Sequence, residues 1–323
     1  MQTELLIADK ASGEIAEVSN STESCEWTTN RTGQPGKFTF SVLKSPDLKM
    51  AEGDVVRFSV DGQLQFYGWI FTRSEDRWGE VSVTCYDRLR YLKANASYAF
   101  YAQTAGDIIR QIAGDLQLDI GTIADTGFAI PSLIKENQTC LDIIQAAIEQ
   151  TLLNTGKVYV LYDDGTGLAL QEAASMMSDT LLGDKSLVTD YTYSTDIDKQ
   201  TYNSIKLVKP NEETGQADVY IQQDSDTIGQ WGLLQYYEKV DSDLNEAQIK
   251  AQAAASLDYY NRVLKSLKLS SLGVPGLRAG QMVYIKIENA GDEGVAQWVL
   301  LEKVTHKWEN DLHTMDAEAF ELS

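Results

Sequence analysis

The sequence predicts an α+β fold that is mainly β, with β-rich segments at both chain ends and a compact α/β unit between them. Two observations carry that prediction. Runs of alternating apolar and polar residues fill residues 1–95 and return after about residue 190. Between them, two helical segments are announced by capping patterns and carry apolar residues at helical spacing.

In the first segment, Phe38, Phe40 and Val42 alternate with Thr39, Ser41 and Leu43, as in a half-buried strand. Val55 to Val60 leads into Asp61-Gly62, and Leu64 to Phe71 follows; an Asp-Gly pair between two such runs signals a hairpin, because both central positions need positive φ. Val81, Val83 and Cys85 alternate with Ser82, Thr84 and Tyr86 in a further strand. In the middle segment, residues 96–190, Thr104 precedes Asp107 as an N-cap, and Ile108, Ile109, Ile112 and Leu116 recur on one helical face. Thr139 and Asp142 repeat the pattern, with Leu141, Ile144, Ile148 and Leu152 as the apolar stripe and Gly156 as the stop. A hairpin is expected next, from Lys157 to Gln171 about a turn at Asp163-Asp164-Gly165-Thr166-Gly167. In residues 191–323, strands are expected at Ser204 to Val208, Val219 to Gln222, Leu267 to Leu272, Met282 to Glu288 and Gln297 to Val304. One helix interrupts them near 246–264, opened by the capping box Asn245-Glu-Ala-Gln248.

Composition narrows the function classes. The chain has 323 residues, 43% apolar and 23% charged, which is ordinary for a globular protein of two or three domains. Lys and Arg total 27 against 48 Asp and Glu, a formal charge of −21. That balance works against binding to nucleic acid or anionic lipid, both of which reward Lys and Arg. It fits either a solvated acidic surface or a protein that a polyanion passes without sticking, and charge alone does not choose. Cys25, Cys85 and Cys140 are odd in number and widely spaced, so neither a disulfide framework nor a zinc knuckle is indicated. The N-terminus reads as a first strand rather than a signal peptide, and no run approaches the ~20 apolar residues of a membrane span.

The two β-rich ends resemble each other in order. Gly53-Asp-Val-Val-Arg-Phe58 is followed by a strand holding Trp69, then a turn near Trp78; Gly280-Gln-Met-Val-Tyr-Ile285 is followed by a strand holding Trp298, then Trp308. Each Gly reads as a turn position that needs positive φ. Such stretches are common in β proteins. If they mark one duplicated module, a homotrimer of this chain sets six similar modules in a ring and joins a six-fold object to a three-fold one.

Several stretches resemble the XkdQ-like hub proteins of Gram-positive contractile phages, defective prophages and R-type tail bacteriocins, within the late-control D-type baseplate hub superfamily. They are Val81-Ser-Val-Thr-Cys-Tyr-Asp-Arg-Leu-Arg-Tyr-Leu92, Trp27-Thr-Thr-Asn30, Gly68-Trp-Ile70, Trp231-Gly-Leu-Leu-Gln235, Asn245-Glu-Ala-Gln248 and His306…His313-Thr-Met315. None is a chemical signature; the likeness lies in their order. It implies two tube-like β-barrel modules, at 1–95 and 191–323, around the α/β domain of 96–190. It also implies a non-enzymatic homotrimer in the baseplate of a virion or tail-like particle, made in the bacterial cytoplasm. A tail tube or tube-initiator protein would sit above the hub and a spike below, with baseplate wedge and LysM-containing tail proteins beside it. DNA would pass the lumen without specific binding, and no membrane insertion is implied. Some relatives carry a C-terminal peptidoglycan hydrolase; with the residues ending at Ser323, wall cutting is expected to come from elsewhere.

The remaining candidate motifs agree with a non-enzymatic role. His306 and His313 are the two histidines, and an odd offset along one strand would point them to opposite faces, so packing or hydrogen bonding is expected of them. Asp241-Ser-Asp243-Leu-Asn245 begins like a calcium loop, but Glu246 stands where Gly is required and Gln252 where Glu is. Asp163 and Asp164 have the look of turn residues more than of paired catalytic carboxylates. Asp87 is expected to cap the next turn or pair with Arg88 or Arg90. No catalytic residue, no cofactor and no metal site is expected. Two other functions stay open: a carbohydrate-binding adhesion module built on the six Trp and 16 Tyr, and a hydrolase built on Asp163 and Asp164.

Overall fold

The computed structural model describes residues 1–45, 48–211, 216–291 and 294–320. The N-terminal segment forms β1 (Thr3–Ala8), β2 (Ile15–Glu17), β3 (Thr22–Asn30), β4 (Lys37–Leu43), β5 (Val55–Val60), β6 (Gln63–Glu75) and β7 (Glu80–Tyr86). Their order across the sheet is β2-β1-β5-β6-β7-β4-β3, all pairs antiparallel. The inward positions are filled by Phe38, Phe40, Phe58, Phe66 and Ile70, with the smaller Val83 and Cys85 opposite. Phe38 stacks on Phe58 and Phe66, each at 5.0 Å between ring centres.

Two helices and two small sheets follow. β8 (Asn95–Thr104) pairs with β10 (Ala129–Thr139), and β9 (Ile120–Ile123) joins the hairpin of β11 (Tyr159–Asp163) and β12 (Leu168–Glu172). α1 (Ala105–Asp115) opens on the expected capping box of Thr104 and Asp107. α2 (Cys140–Thr155) opens on Thr139 and ends on Gly156 at φ +70°. Ile108, Ile109, Ile112, Ile144 and Ile148 bury the facing sides of these helices in one core.

The remaining strands divide between two bodies. β13 (Met177–Gly183) and β14 (Val188–Asp196) pair with β19 (Met282–Ile287) and β18 (Leu264–Leu272), while β20 (Val295–Glu309) and β21 (Leu312–Phe320) complete the second barrel. β13 falls inside the span read from the sequence as the α/β unit, yet it hydrogen-bonds to β19 and buries Leu182 in the C-terminal core. Between β14 and β18 the chain leaves the barrel for a sheet of β15 (Ser204–Asn211), β16 (Gln216–Gln223) and β17 (Gln235–Lys239), with α3 (Ser225–Trp231) and α4 (Glu246–Tyr260). α4 opens on the expected Asn245–Gln248 box but stops at Tyr260, short of Leu264, which begins β18. The short α3 has no buried residue, so no apolar period announced it.

The two barrels share one topology. Taken in chain order, the strands β1, β3, β4, β5, β6, β7 and β13, β14, β18, β19, β20, β21 both lie first-fourth-fifth-sixth-third-second across the sheet. The register agrees as well. Gly53 N–H donates to Ile70 O and Ile70 N–H to Asp54 O; Gly280 N–H donates to Leu301 O and Leu301 N–H to Gln281 O. Both glycines have positive φ, +93° and +89°. A bulge follows Ile70 in β6 and Leu301 in β20 at the matching place. One pairing departs: β1 runs antiparallel to β5, whereas β13 runs parallel to β19.

The glycines match as the sequence suggested, but the tryptophans do not. Two residues after each glycine, Val55 faces Trp69 and Met282 faces Leu300. Trp298, opposite Tyr284, is the counterpart of Tyr67, opposite Arg57, because the second hairpin is longer.

The two glycines predict different losses. Gly53→Ala meets open space and should cost roughly 1–2 kcal/mol for the left-handed backbone alone. Gly280→Ala would also drive a Cβ to 2.4 Å from Val160 Cγ1, adding roughly 1–3 kcal/mol of overpacking. Urea denaturation of the two variants checks the order; equal losses would contradict it.

Candidate functional site

The feature that sets this chain apart is where its two barrels meet. β20 is long: residues 295–300 pair with β19, and from Lys303 to Glu309 the strand pairs with β21 on one side and β3 on the other. Its far half therefore leaves the C-terminal barrel and edges the N-terminal one, where Trp308 packs edge-on against Phe58 at 4.8 Å. The join makes an unbroken run of strands β14-β18-β21-β20-β3-β4-β7-β6.

Because side chains alternate, one face of that run belongs to the two barrel cores and the other to the outside. The outer face is polar, a mixture of hydroxyl and charged side chains. It carries Thr192 and Ser194 on β14, Lys268 and Ser270 on β18, Asp316 and Glu318 on β21, and Lys303, Thr305 and Lys307 on β20. Across the join it continues through Glu26 and Thr28 on β3, Thr39 and Ser41 on β4, Ser82 and Thr84 on β7, and Thr72 and Ser74 on β6. Opposite charges neighbour each other, as in Lys268–Glu318 at 3.4 Å and Lys307–Glu309 at 2.6 Å. The chain's acidic excess is thus not gathered into a uniformly negative strip on this face.

Beneath the join lies a buried polar stack that the sequence foreshadowed only as separate residues. His306 on β20 sits between Trp27 and Trp308, 5.4 Å from each ring. His313 stacks on Trp308 at 4.5 Å. The expectation that the histidines point apart fails, because it treats them as one strand: the chain reverses at Asn310-Asp311, and His313 returns on β21. His306 Nε2 lies 2.6 Å from Leu277 O, which only accepts, so Nε2 carries the proton. His306 Nδ1 then accepts from His313 Nε2–H at 2.9 Å. Both rings are neutral, and burial lowers each pKa to about 4. Thr29 Oγ1 accepts from Ala279 N–H at 2.9 Å, and Arg31 meets Glu302 at 2.6 Å, fastening the same join.

A second polar cluster ties both barrels to the α/β unit. Asp87 caps the turn after β7, as expected, accepting from Leu89 N–H at 3.0 Å and from Gly36 N–H at 2.9 Å. Burial, with the neighbouring Asp163 carboxylate, pushes its pKa up to about 8, while Arg278 and the two N–H donors pull the other way. Arg88 turns away from Asp87 and forks onto Asp163, at 2.9 and 3.1 Å, with its own backbone N–H completing the pair. Asp163 is therefore not only a turn residue: it ends β11 almost wholly buried, an anchor that a reading of local turn chemistry had no means to see. From the C-terminal barrel, Arg278 donates to Asp163 O at 2.9 Å and lies 4.3 Å over the Tyr162 ring. A cavity of about 100 Å³ lies among Asp87, Asp163, Tyr67 and Arg278.

This geometry bears on the two alternative functions. Asp164 accepts from Thr166 and Gly167 N–H at 2.8 and 2.9 Å, and Asp163 is held by Arg88, so both carboxylates serve as structural acceptors. The tryptophans do not converge on one surface: Trp27 and Trp308 are buried, whereas Trp78 stands exposed on the β6–β7 turn and Trp298 on the β19–β20 hairpin. In the loop read against the calcium pattern, Asp241 accepts from Ser132 Oγ and Asn245 caps α4.

A family profile described as YQBQ-like matches residues 25–319. The chain is 34% identical over 275 residues to the phage-like element PBSX protein XkdQ of Bacillus subtilis strain 168, covering 84% of this chain and 82% of the relative. It is 32% identical over 308 residues to the uncharacterized protein YqbQ of the same organism, covering 93% and 92%. Among solved structures, a tail protein from Neisseria meningitidis MC58 has the same fold, with a TM-score of 0.70 at 16% identity over 99% of this chain and 97% of that one.

Two outcomes test the buried groups. With folded pKa values below the unfolded ones, the histidine pair stabilises fully above pH 6.5, and that contribution is lost as pH falls toward about 4. NMR of histidine-labelled protein should show both rings staying neutral at pH 5.5; titration of either near 6.5 would contradict the stack. Asp163→Ala should cost roughly 3 kcal/mol in chemical denaturation, because it leaves the buried Arg88 guanidinium with only the exposed Asp119 carboxylate, at 3.3 Å, as its ion-pair partner.

Proposed function

The chain belongs to the YQBQ-like family and is homologous to the XkdQ protein of a phage-like element, and on that premise we propose that it is the baseplate hub of a contractile, phage-like tail. The observation that carries this reading is the duplicated barrel. Three copies of a chain with two like modules arrange six such modules around one axis while keeping only three-fold symmetry. One face of the ring would then match a six-fold tail tube and the other a three-fold spike. Permanent assemblies of this kind bury roughly 2,000 Å² or more per interface.

In this reading the polar run of strands faces the bore and continues the tail lumen. Its short hydroxyl side chains leave the bore wide. Its paired charges offer no lysine row on which a passing polyanion would release counterions and stick. The protein works by shape, without catalysis, and its neighbours are the tube or tube-initiator protein, the spike, the wedge and LysM-containing tail proteins.

Light scattering of the purified chain over a range of concentrations, with and without tube and spike proteins, tests the proposal. The expected result is a trimer that appears as a ring with a central hole in negative-stain images. A chain that stays monomeric and binds neither neighbour would sink it.

A further inference from the structure

The internal duplication specifies more than a ring: it specifies which strands close it. Within the chain, the far half of β20 pairs with β3. By strand order and register, the counterpart of β3 is β14 and the counterpart of β20 is β6. Among the described residues β14 pairs only with β18, and β6 beyond its bulge pairs only with β7. Each barrel therefore presents the half of a contact whose twin is already made inside the molecule. Strand edges left like this are templates for pairing with another chain.

We propose that the far half of β6 pairs antiparallel with β14 of the neighbouring copy, repeating the β20–β3 join around the ring. This rests on the trimeric hub reading and adds its register. Ile70 corresponds to Leu301, so Phe71, Thr72, Arg73 and Ser74 correspond to Glu302, Lys303, Val304 and Thr305. Trp27 faces Phe38 and Tyr193 faces Leu267 on corresponding strands, so Thr28 corresponds to Ser194 and Arg31 to Ile197.

The transferred contacts remain matched on both sides. Thr28 and Thr305, whose hydroxyls meet at 3.1 Å, become Ser194 and Ser74, both exposed in the single chain. The half-buried pair Arg31–Glu302 becomes Ile197 and Phe71, an apolar pair that is half-buried as well. Both members of the ion pair have changed character together, which avoids leaving one charge against an apolar partner. Arg73 falls opposite Thr195, on the other face from Asp196, and its ion pair with Glu52 at 3.2 Å already satisfies its charge within the chain. At this one position the join inside the chain is made by charge, and the join between chains by an apolar contact.

Cysteine cross-linking tests the register. Paired β-strand residues lie within the Cα separation a disulfide tolerates, and native Cys25, Cys85 and Cys140 are buried. The double variant S74C/S194C, oxidised and run without reductant, should give covalent dimers and trimers, whereas S74C or S194C alone should stay single-chain. Mixing those two single variants should restore the dimer but not the trimer. T28C/T305C is the internal control and should close within one chain. If light scattering finds a trimer and the control closes, but S74C/S194C does not link, the proposed pairing is wrong while the hub reading stands. If the protein stays monomeric and unlinked with tube and spike present, both fall.

Discussion

The architecture depends on one shared strand. β20 begins as a member of the C-terminal barrel and ends as an edge of the N-terminal one, so its backbone hydrogen bonds hold two cores in a fixed register. A strand common to two sheets transmits position more strictly than a linker would, because slipping by one residue would turn every buried side chain outward. Here the slip would expose His306 and Trp308, which are packed between the barrels. The neutral His306–His313 pair adds direction: each donor has one acceptor, so the buried polar atoms accept one arrangement.

The α/β unit is locked to the same frame. Asp163 receives Arg88 from the end of the first barrel, while its carbonyl receives Arg278 from the second. One residue at the end of one strand therefore meets groups from both barrels. The second inserted body is attached differently, through Ser132 with Asp241 and through Tyr260 with Glu149, so the two insertions pack on each other.

Much of this was legible in the sequence, and the gaps have physical causes. Period-two patterns revealed most barrel strands, and the caps at Thr104, Thr139 and Asn245 lie where their side chains bind the first helical N–H groups. The duplication was visible at Gly53 and Gly280, because a positive φ leaves a mark on the sequence. It was blurred elsewhere because matching core positions of the two barrels hold residues of different size and shape. Phe38, Phe40 and Phe58 face Val83 and Cys85 in one barrel; Leu267, Leu269 and Ile285 face Ala317 and Ala319 in the other. The histidine contact was missed because it crosses a turn, and the Arg88–Asp163 pair because 75 residues separate its partners. Local spacing does not encode such meetings.

The strand exchange also has a consequence for the order of folding. Thr28 and Thr305 are neighbours in space yet 277 residues apart in the chain, and closing so long a loop precedes any reward from the contact. As the polypeptide leaves the ribosome, its first barrel emerges without Trp308 and with one edge bare. That edge is covered only once β20 has been made. A product interrupted before β20 accordingly has an N-terminal barrel with a bare β3 edge and an incomplete core.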